Sequence, residues 1–299
     1  TALRIFGFVY WHIISFILGL CIRKVDVIVS PSPPLSIGMV NLILGWLKGC
    51  KVIYNVQEIY PDILKKKTGV IIAFLKKVER CIYNKSAAIT TIDNVFYNTI
   101  VSRFEDPSKL HIIPNFVDTD LYNPTNAESL DESLFPQTDS LKLLYAGNIG
   151  HAQDWCPLVA LVERTKELNV EYFVIGMGVQ RQYLEEQKVD KGLDKLHILD
   201  YQPRHLMPSI LAYSDVQFIF MAPEMEMMGF PSKVYTIMAC ERPLLICSGD
   251  KTPIINFTKE HHCAKLITEK DFDKKVDEMA QWLTSVSREE LRRMGRNGY

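Results

Sequence analysis

Residues 229–246 read GFPSKVYTIMACERPLLI, a helix start followed within one short helix by an apolar strand. Pro231 fits the first helical turn, where a missing N–H costs nothing, and the Ser232 hydroxyl can accept an unpaired backbone N–H there. Lys233 adds a full charge to the partially positive helix end, so an anion is a natural guest. An ordinary capped helix between two strands has the same signature, and the choice rests on what surrounds the segment.

Outward from this segment, short apolar runs alternate with longer helical patterns. Beyond residue 140 the expected strands are 141–145, 172–175, 196–199, 216–220 and 243–246. The helices between and after them are expected at 157–168, 181–188, 206–213, 232–240 and 271–285. The front of the chain repeats the pattern, with strands at 25–29, 51–55, 88–91 and 111–113 and helices at 35–47, 71–84 and 94–104. Such alternation predicts parallel sheets covered by helices on both faces. Residues 118–140, DTDLYNPTNAESLDESLFPQTDS, are acidic and rich in Pro and Asn, which predicts a linker. The expected fold is α/β, with two facing Rossmann-like domains at 1–124 and 125–299 and a ligand cleft beyond the carboxyl ends of the strands.

With 299 residues, 47% of them hydrophobic, the chain has material for two cores. Its net charge of -1 hides an asymmetry. Residues 1–124 hold 14 Lys/Arg and 9 Asp/Glu, a net of +5, whereas residues 125–299 hold 20 and 26, a net of -6. The front half suits an anionic partner, or simply carries solvated charge. The seven cysteines form no CxxC pair and are expected to be reduced core thiols, and the seven histidines lack metal spacing, so no metal site is expected. Residues 5–22, IFGFVYWHIISFILGLCI, are flanked by Arg4, Arg23 and Lys24. A buried helix, a helix in the membrane interface, a membrane span and a signal-like segment all fit that run. The strand that follows directly favours a helix packed on a sheet or partly exposed to lipid.

Three loops of the second half carry candidate chemistry. In YAGNIGHAQDW (145–155), Gly147 and Gly150 let the backbone approach a ligand, and Asn148 and Gln153 supply amide groups. In VIGMGVQRQYL (174–184), Gly176 and Gly178 sit between a strand and a helix, a weak fingerprint because no third glycine follows in register. The PSK segment is the third. Their order within one domain favours a phosphate-bearing nucleotide.

The series GNIG with Gln153, VIGMG, YQPRHLMPSILAYSDV (201–216) and GFPSKVYTIMACERPLLI resembles the donor domain of glycosyltransferase family 4, which has the GT-B fold. Its PSK form resembles that of bacterial transferases of capsule, O-antigen and exopolysaccharide assembly, including the N-acetyl-L-fucosamine transferase group. SPSPPLSIG (30–38), YNVQEIYPD (54–62) and IPNFVDTDLYNP (113–124) have counterparts there, so the resemblance covers essentially the whole chain. It implies a UDP-sugar donor, with Gly147, Asn148, Gly150 and Gln153 along the diphosphate and sugar. By the same resemblance, Gly176 and Gly178 belong to the donor site, Ser232 and Lys233 meet the diphosphate, and Tyr201 lies near the base. Thr236 stands where the family places the second glutamate of its E-x7-E motif, which holds the ribose. The first glutamate maps to Met228, leaving Glu224 and Glu226 as displaced candidates for the sugar hydroxyls. The arginine usual in the first donor loop is absent, so Lys233 is the main cation. Glu58 matches an acidic position near the cleft, and a surface carboxylate at a strand end is the plainer reading.

The resemblance further implies retention of anomeric configuration, assisted by the departing diphosphate, with no cofactor and no metal. The expected transfer is of an N-acetylated hexosamine or deoxyhexosamine to a lipid-linked or saccharide acceptor, such as a polyprenyl-diphosphate-linked saccharide. The place expected is the cytoplasm, at the inner face of the cell membrane, without a nucleic-acid partner. Lys65, Lys66, Lys67, Lys76, Lys77, Arg80 and Lys85 suit anionic lipid or that acceptor, or form a solvated face. Family members start with a strand and a Gly-rich loop ahead of the point where this sequence begins, so the first domain is expected to be incomplete at its N-terminus. A UDP-sugar 2-epimerase of the same fold and a non-catalytic nucleotide-sugar-binding subunit remain alternatives.

Overall fold

A computed structural model describes residues 2–62, 69–227 and 230–299. Lys65, Lys66, Lys67, Met228 and Gly229 lie outside the described residues. The chain divides into two compact units, Thr1–Asn115 and Phe116–Tyr299.

The first unit begins with α1 (Ala2–Cys21) and continues β1 (Val27–Ser32), α2 (Leu35–Lys48), β2 (Lys51–Val56), α3 (Gly69–Lys85), β3 (Ala88–Thr91), α4 (Asn94–Ile100) and β4 (Leu110–Ile112). Its four strands are parallel and lie in sequence order, β1-β2-β3-β4. Local signals set the helix ends. Gly49, at φ 64°, closes α2 in the left-handed conformation that favours glycine, and Asp93 caps α4 by accepting the Phe96 N–H at 2.7 Å. Tyr54, Ile82, Tyr83, Ile89 and Phe96 form the buried interior.

Helix α1 is built the opposite way from a core helix. His12, Ser15, Phe16 and Gly19 are half-buried, while Phe6, Tyr10, Trp11, Leu18 and Leu20 are exposed. His12 Nε2 lies 2.9 Å from Ser36 Oγ, and the Lys48 ammonium donates to the carbonyls of Leu20 and Ile22. His12, Ser15 and Gly19, with Ile14 and Phe16, therefore make up the docked side of the helix, and its apolar majority faces outward. The buried-helix reading of 5–22 is overturned. Among the described residues, no helix is long and apolar enough to cross a membrane.

The second unit runs β5 (Leu141–Ala146), α5 (Cys156–Arg164), β6 (Val170–Ile175), α6 (Arg181–Asp190), β7 (Leu196–Leu199), α7 (Met207–Tyr213), β8 (Val216–Phe220), α8 (Lys233–Ala239) and β9 (Leu244–Cys247). It closes with α9 (Pro253–His261), β10 (Ala264–Ile267), α10 (Phe272–Ser285) and α11 (Arg288–Gly298). All pairs in the order β10-β9-β8-β5-β6-β7 are parallel. The order reverses between β5 and β8, the switch point where a crevice opens beyond the strand ends. Leu143, Tyr172, Phe173, Phe218, Leu245 and Ile246 fill the strands with side chains buried on both faces, as near-continuous apolar runs require.

Several expectations change. Residues 118–140 are no free linker: Phe135 is buried against Phe173, and Tyr122 packs on the cluster that holds Val234 and Ile237. Their few apolar side chains, spaced among acidic ones, anchor the segment to the second unit. The sequence pattern also passed over α9, β10 and α11, whose short apolar stretches are diluted by charge. Only Cys240, Cys247 and Cys263 are core thiols; Cys21, Cys81 and Cys156 are exposed and Cys50 is half-buried.

Candidate functional site

The three expected loops touch one another at the carboxyl ends of β5, β6 and β8. Gly147 follows β5 at φ 148° and Gly176 follows β6 at φ 143°, conformations that L side chains rarely adopt. A Cβ on Gly176 would collide with the Gly147 carbonyl, and one on Gly178 with the Ile149 carbonyl. Backbone bonds knit the pair together: Gly147 N–H to Ile175 O, Ile149 N–H to Met177 O and Gln180 N–H to Ile149 O, each 2.9 Å. These glycines therefore let two loops lie against each other.

Lys233, the first residue of α8, reaches into the same place. Its ammonium donates to the Ala146 carbonyl at 3.0 Å and lies 3.5 Å from the centre of the Tyr145 ring. A Cβ on Gly147 would lie 2.7 Å from that ammonium, so the glycine also makes room for the lysine. No carboxylate pairs with it among the described residues. Burial accordingly lowers its pKa from 10.5 to about 7. An arriving anion would restore the charge.

The flanking residues divide by role. Tyr201, on the loop after β7, is exposed, and its ring lies beside Gly176. Asn148 is exposed, with its amide folded over Gly150, while Trp155 Nε1 donates to the Gly150 carbonyl at 3.1 Å. Gln153 bridges to Met221 at the switch point, and its side-chain oxygen is buried without a partner among the described residues. Thr236 lies one turn beyond Lys233, and both line a cavity of about 180 Å³ with Tyr122, Ala146 and Met207. Sequence reasoning missed Tyr122, because it lies in the segment read as a linker.

One expectation needs correction. Ser232 precedes α8 in a helical conformation and its side chain caps nothing, because Pro231 and Ser232 already take up the turn ahead of Lys233. The Glu226 carboxylate accepts the Gly249 N–H at 2.7 Å and braces the loop after β9. Glu224 is exposed on the loop after β8. Glu58 belongs to the first unit, where it is half-buried after β2 and burial raises its carboxyl pKa. With seven residues, α8 is too short for its dipole to dominate, and Lys233 is the site's cation.

No protein-family model matches the chain. Among curated proteins it is 22% identical over 229 residues to the probable glycosyltransferase WbjE of Pseudomonas aeruginosa, covering 75% of this chain and 57% of that protein. It is 20% identical over 226 residues to the putative colanic acid biosynthesis glycosyl transferase WcaI of Escherichia coli, covering 72% and 56%. The chain thus spans little more than half the length of the curated relatives it matches. Among solved structures, Anabaena HepE in complex with UDP aligns at a TM-score of 0.72 and 12% identity, over 94% of this chain and 74% of that one. A glycosyltransferase from Rickettsia africae aligns at 0.66 and 14%, over 95% and 75%. The two parallel α/β sheets and these structural likenesses together establish that the chain has the GT-B fold.

Proposed function

We propose that the chain is the donor-binding and partial acceptor-side portion of a metal-independent family 4 glycosyltransferase that uses a UDP-sugar. One observation carries the reading: the loops after β5 and β6 interlock through Gly147, Gly176 and Gly178 beside a half-buried lysine with no carboxylate partner among the described residues. A diphosphate in that position would meet Lys233 and the amide of Asn148, with Tyr201 beside the base and Thr236 toward the ribose. Fixed donors aimed at a departing diphosphate supply several kcal/mol of transition-state stabilisation in such sites. UDP complexes of HepE and the glycosyltransferase names of WbjE and WcaI support the same reading.

In this reading the sugar is an N-acetylated hexosamine or deoxyhexosamine, transferred with retention. The acceptor is a saccharide on a polyprenyl diphosphate in cell-surface polysaccharide synthesis. Contact with the inner face of the cell membrane is supported by the exposed apolar side of α1 and by Trp46 and Val70, which are 80% and 82% exposed. Trp46 also lines an open groove of about 640 Å³, together with Leu42, Ile43, Lys51, Lys85 and Lys109. Calorimetry with UDP and with GDP tests the donor site: saturable binding of UDP is expected, and no binding of either refutes the reading. The complete protein, given UDP-N-acetylhexosamines and a polyprenyl-diphosphate saccharide, should form product only when the acceptor is present. Turnover without acceptor would identify an epimerase instead.

A further inference from the structure

A second concave site lies at the other end of the second sheet. It is a cavity of about 370 Å³ lined by Arg242, Arg288, Arg292, Arg296, Asp215 and Glu241, among others. Asp215 stands directly before β8, and Arg242 lies just ahead of β9, at the amino ends of the strands whose carboxyl ends face the donor loops. A strand of five residues separates the two ends by about 16 Å.

The walls of this cavity are already fixed. Arg288 pairs with Asp215 at 2.5 Å and donates to the Asp139 and Ser140 carbonyls, and Asp215 also accepts the Lys142 N–H at 2.9 Å. Arg242 donates through Nε to the Cys240 carbonyl and through Nη1 to the Ser214 carbonyl, while its Nη2 has no partner among the described residues. A Cβ on Gly295 would collide with the Glu241 carbonyl, so α11 lies hard against the turn that carries Arg242. Scaffold and charge are in place before any ligand arrives.

What the walls leave over is positive charge. Arg288, Arg292 and Arg296 recur every four residues along α11, where like charges repel. Asp215 neutralises Arg288, but Arg292 and Arg296 are exposed and form no ion pair among the described residues. Burial lowers the pKa of Arg242, and Asp215 and Glu241 offset that only in part. Guanidinium forks suit phosphate oxygens, and no aromatic side chain lines the cavity to stack a nucleobase.

From this arrangement we infer that the cavity between the amino ends of β8 and β9 and helix α11 is a binding site for a small phosphate-bearing anion, separate from the donor loops. Its ligand is a free diphosphate or a sugar phosphate, recognised through phosphate oxygens by Arg242, Arg292 and Arg296. The inference stands apart from the glycosyltransferase reading, since none of these residues belongs to the donor loops.

The test is calorimetry on the complete protein at low ionic strength, with inorganic diphosphate and hexose 6-phosphate as probes. Lys233→Ala and the double variant Arg292→Gln/Arg296→Gln separate the two sites. Expected is binding of at least one probe at a single site that survives Lys233→Ala and weakens at least tenfold in the double glutamine variant. The probe that binds more tightly identifies the source of the phosphate. UDP affinity and the thermal midpoint of the double variant should stay unchanged, which excludes misfolding. A second double variant, Arg292→Lys/Arg296→Lys, keeps the charge but removes the forks, and a loss of several-fold is expected. Binding of neither probe overturns the inference, as does binding that Lys233→Ala abolishes or that both double variants leave intact.

Discussion

Lys233 concentrates the chemistry of the second unit in one side chain. Its folded pKa of about 7 lies below the unfolded value of 10.5, so the unfolded chain binds more protons between those limits. Stability should therefore rise as pH increases from about 7 toward 10.5, and Lys233→Met should remove that slope in denaturant titrations. A bound diphosphate reverses the preference by holding the ammonium form. UDP binding at pH 8 is expected to take up a proton, visible as a dependence of the calorimetric heat on the buffer, and affinity should fall as pH rises above about 7. Lys233→Ala is expected to weaken UDP about 10- to 100-fold, the scale of one charge-assisted hydrogen bond, without lowering stability. Gly176→Ala tests the loop contact. Its Cβ would strike the Gly147 carbonyl at a backbone angle that suits only glycine, which should cost about 2–4 kcal/mol in urea unfolding and impair UDP binding. The lysine and the glycines were readable from residue types alone. That Lys233 tucks half-buried against the loop after β5 was not, because its partners are a carbonyl and a ring rather than a charge.

Among the elements, α3 and the turn after α4 share a buried ion pair. Glu79, 2% exposed, accepts from Tyr83 at 3.0 Å and from Arg103 at 3.1 Å, and Arg103 also meets Asp62. Arg103→Met would strand the Glu79 carboxylate in the core, and a loss of about 3–5 kcal/mol is expected in chemical denaturation. Glu79→Gln/Arg103→Met removes both charges and should recover much of that loss. Helix α1 shows how periodicity misleads when a helix has no core to face. Its composition announced a helix, but the side that docks it holds His12, Ser15 and Gly19 beside Ile14 and Phe16, while most of its large apolar side chains face outward. The short elements α9 and β10 escaped notice for the opposite reason: their apolar residues are few, and β10 is a four-residue edge strand paired with β9.

For the whole molecule, the division at Asn115 sharpens the charge asymmetry. Residues 1–115 hold 14 Lys/Arg and 7 Asp/Glu, a net of +7, and residues 116–299 hold 20 and 28, a net of -8. The complete protein is expected to bind vesicles containing anionic lipid and to be released in part by added salt, measured by co-sedimentation. Trp11→Ser/Trp46→Ser should weaken that binding with little change in stability, since Trp46 is largely exposed and Trp11 about half exposed. Equal binding to neutral and anionic vesicles would show that the basic residues contribute nothing. By itself the sequence determined the alternation of strands and helices, the two-unit plan and the glycines and lysine of the loops after β5 and β6 and ahead of α8. Period, turn chemistry and residue type are local properties, legible along the chain. Only the tertiary structure decided that residues 118–140 pack on the second unit, that Glu226 braces a backbone N–H, that α1 turns its apolar side outward and that four arginines line one cavity. Each of those depends on which distant segments meet, and burial and pairing are settled between segments rather than within them.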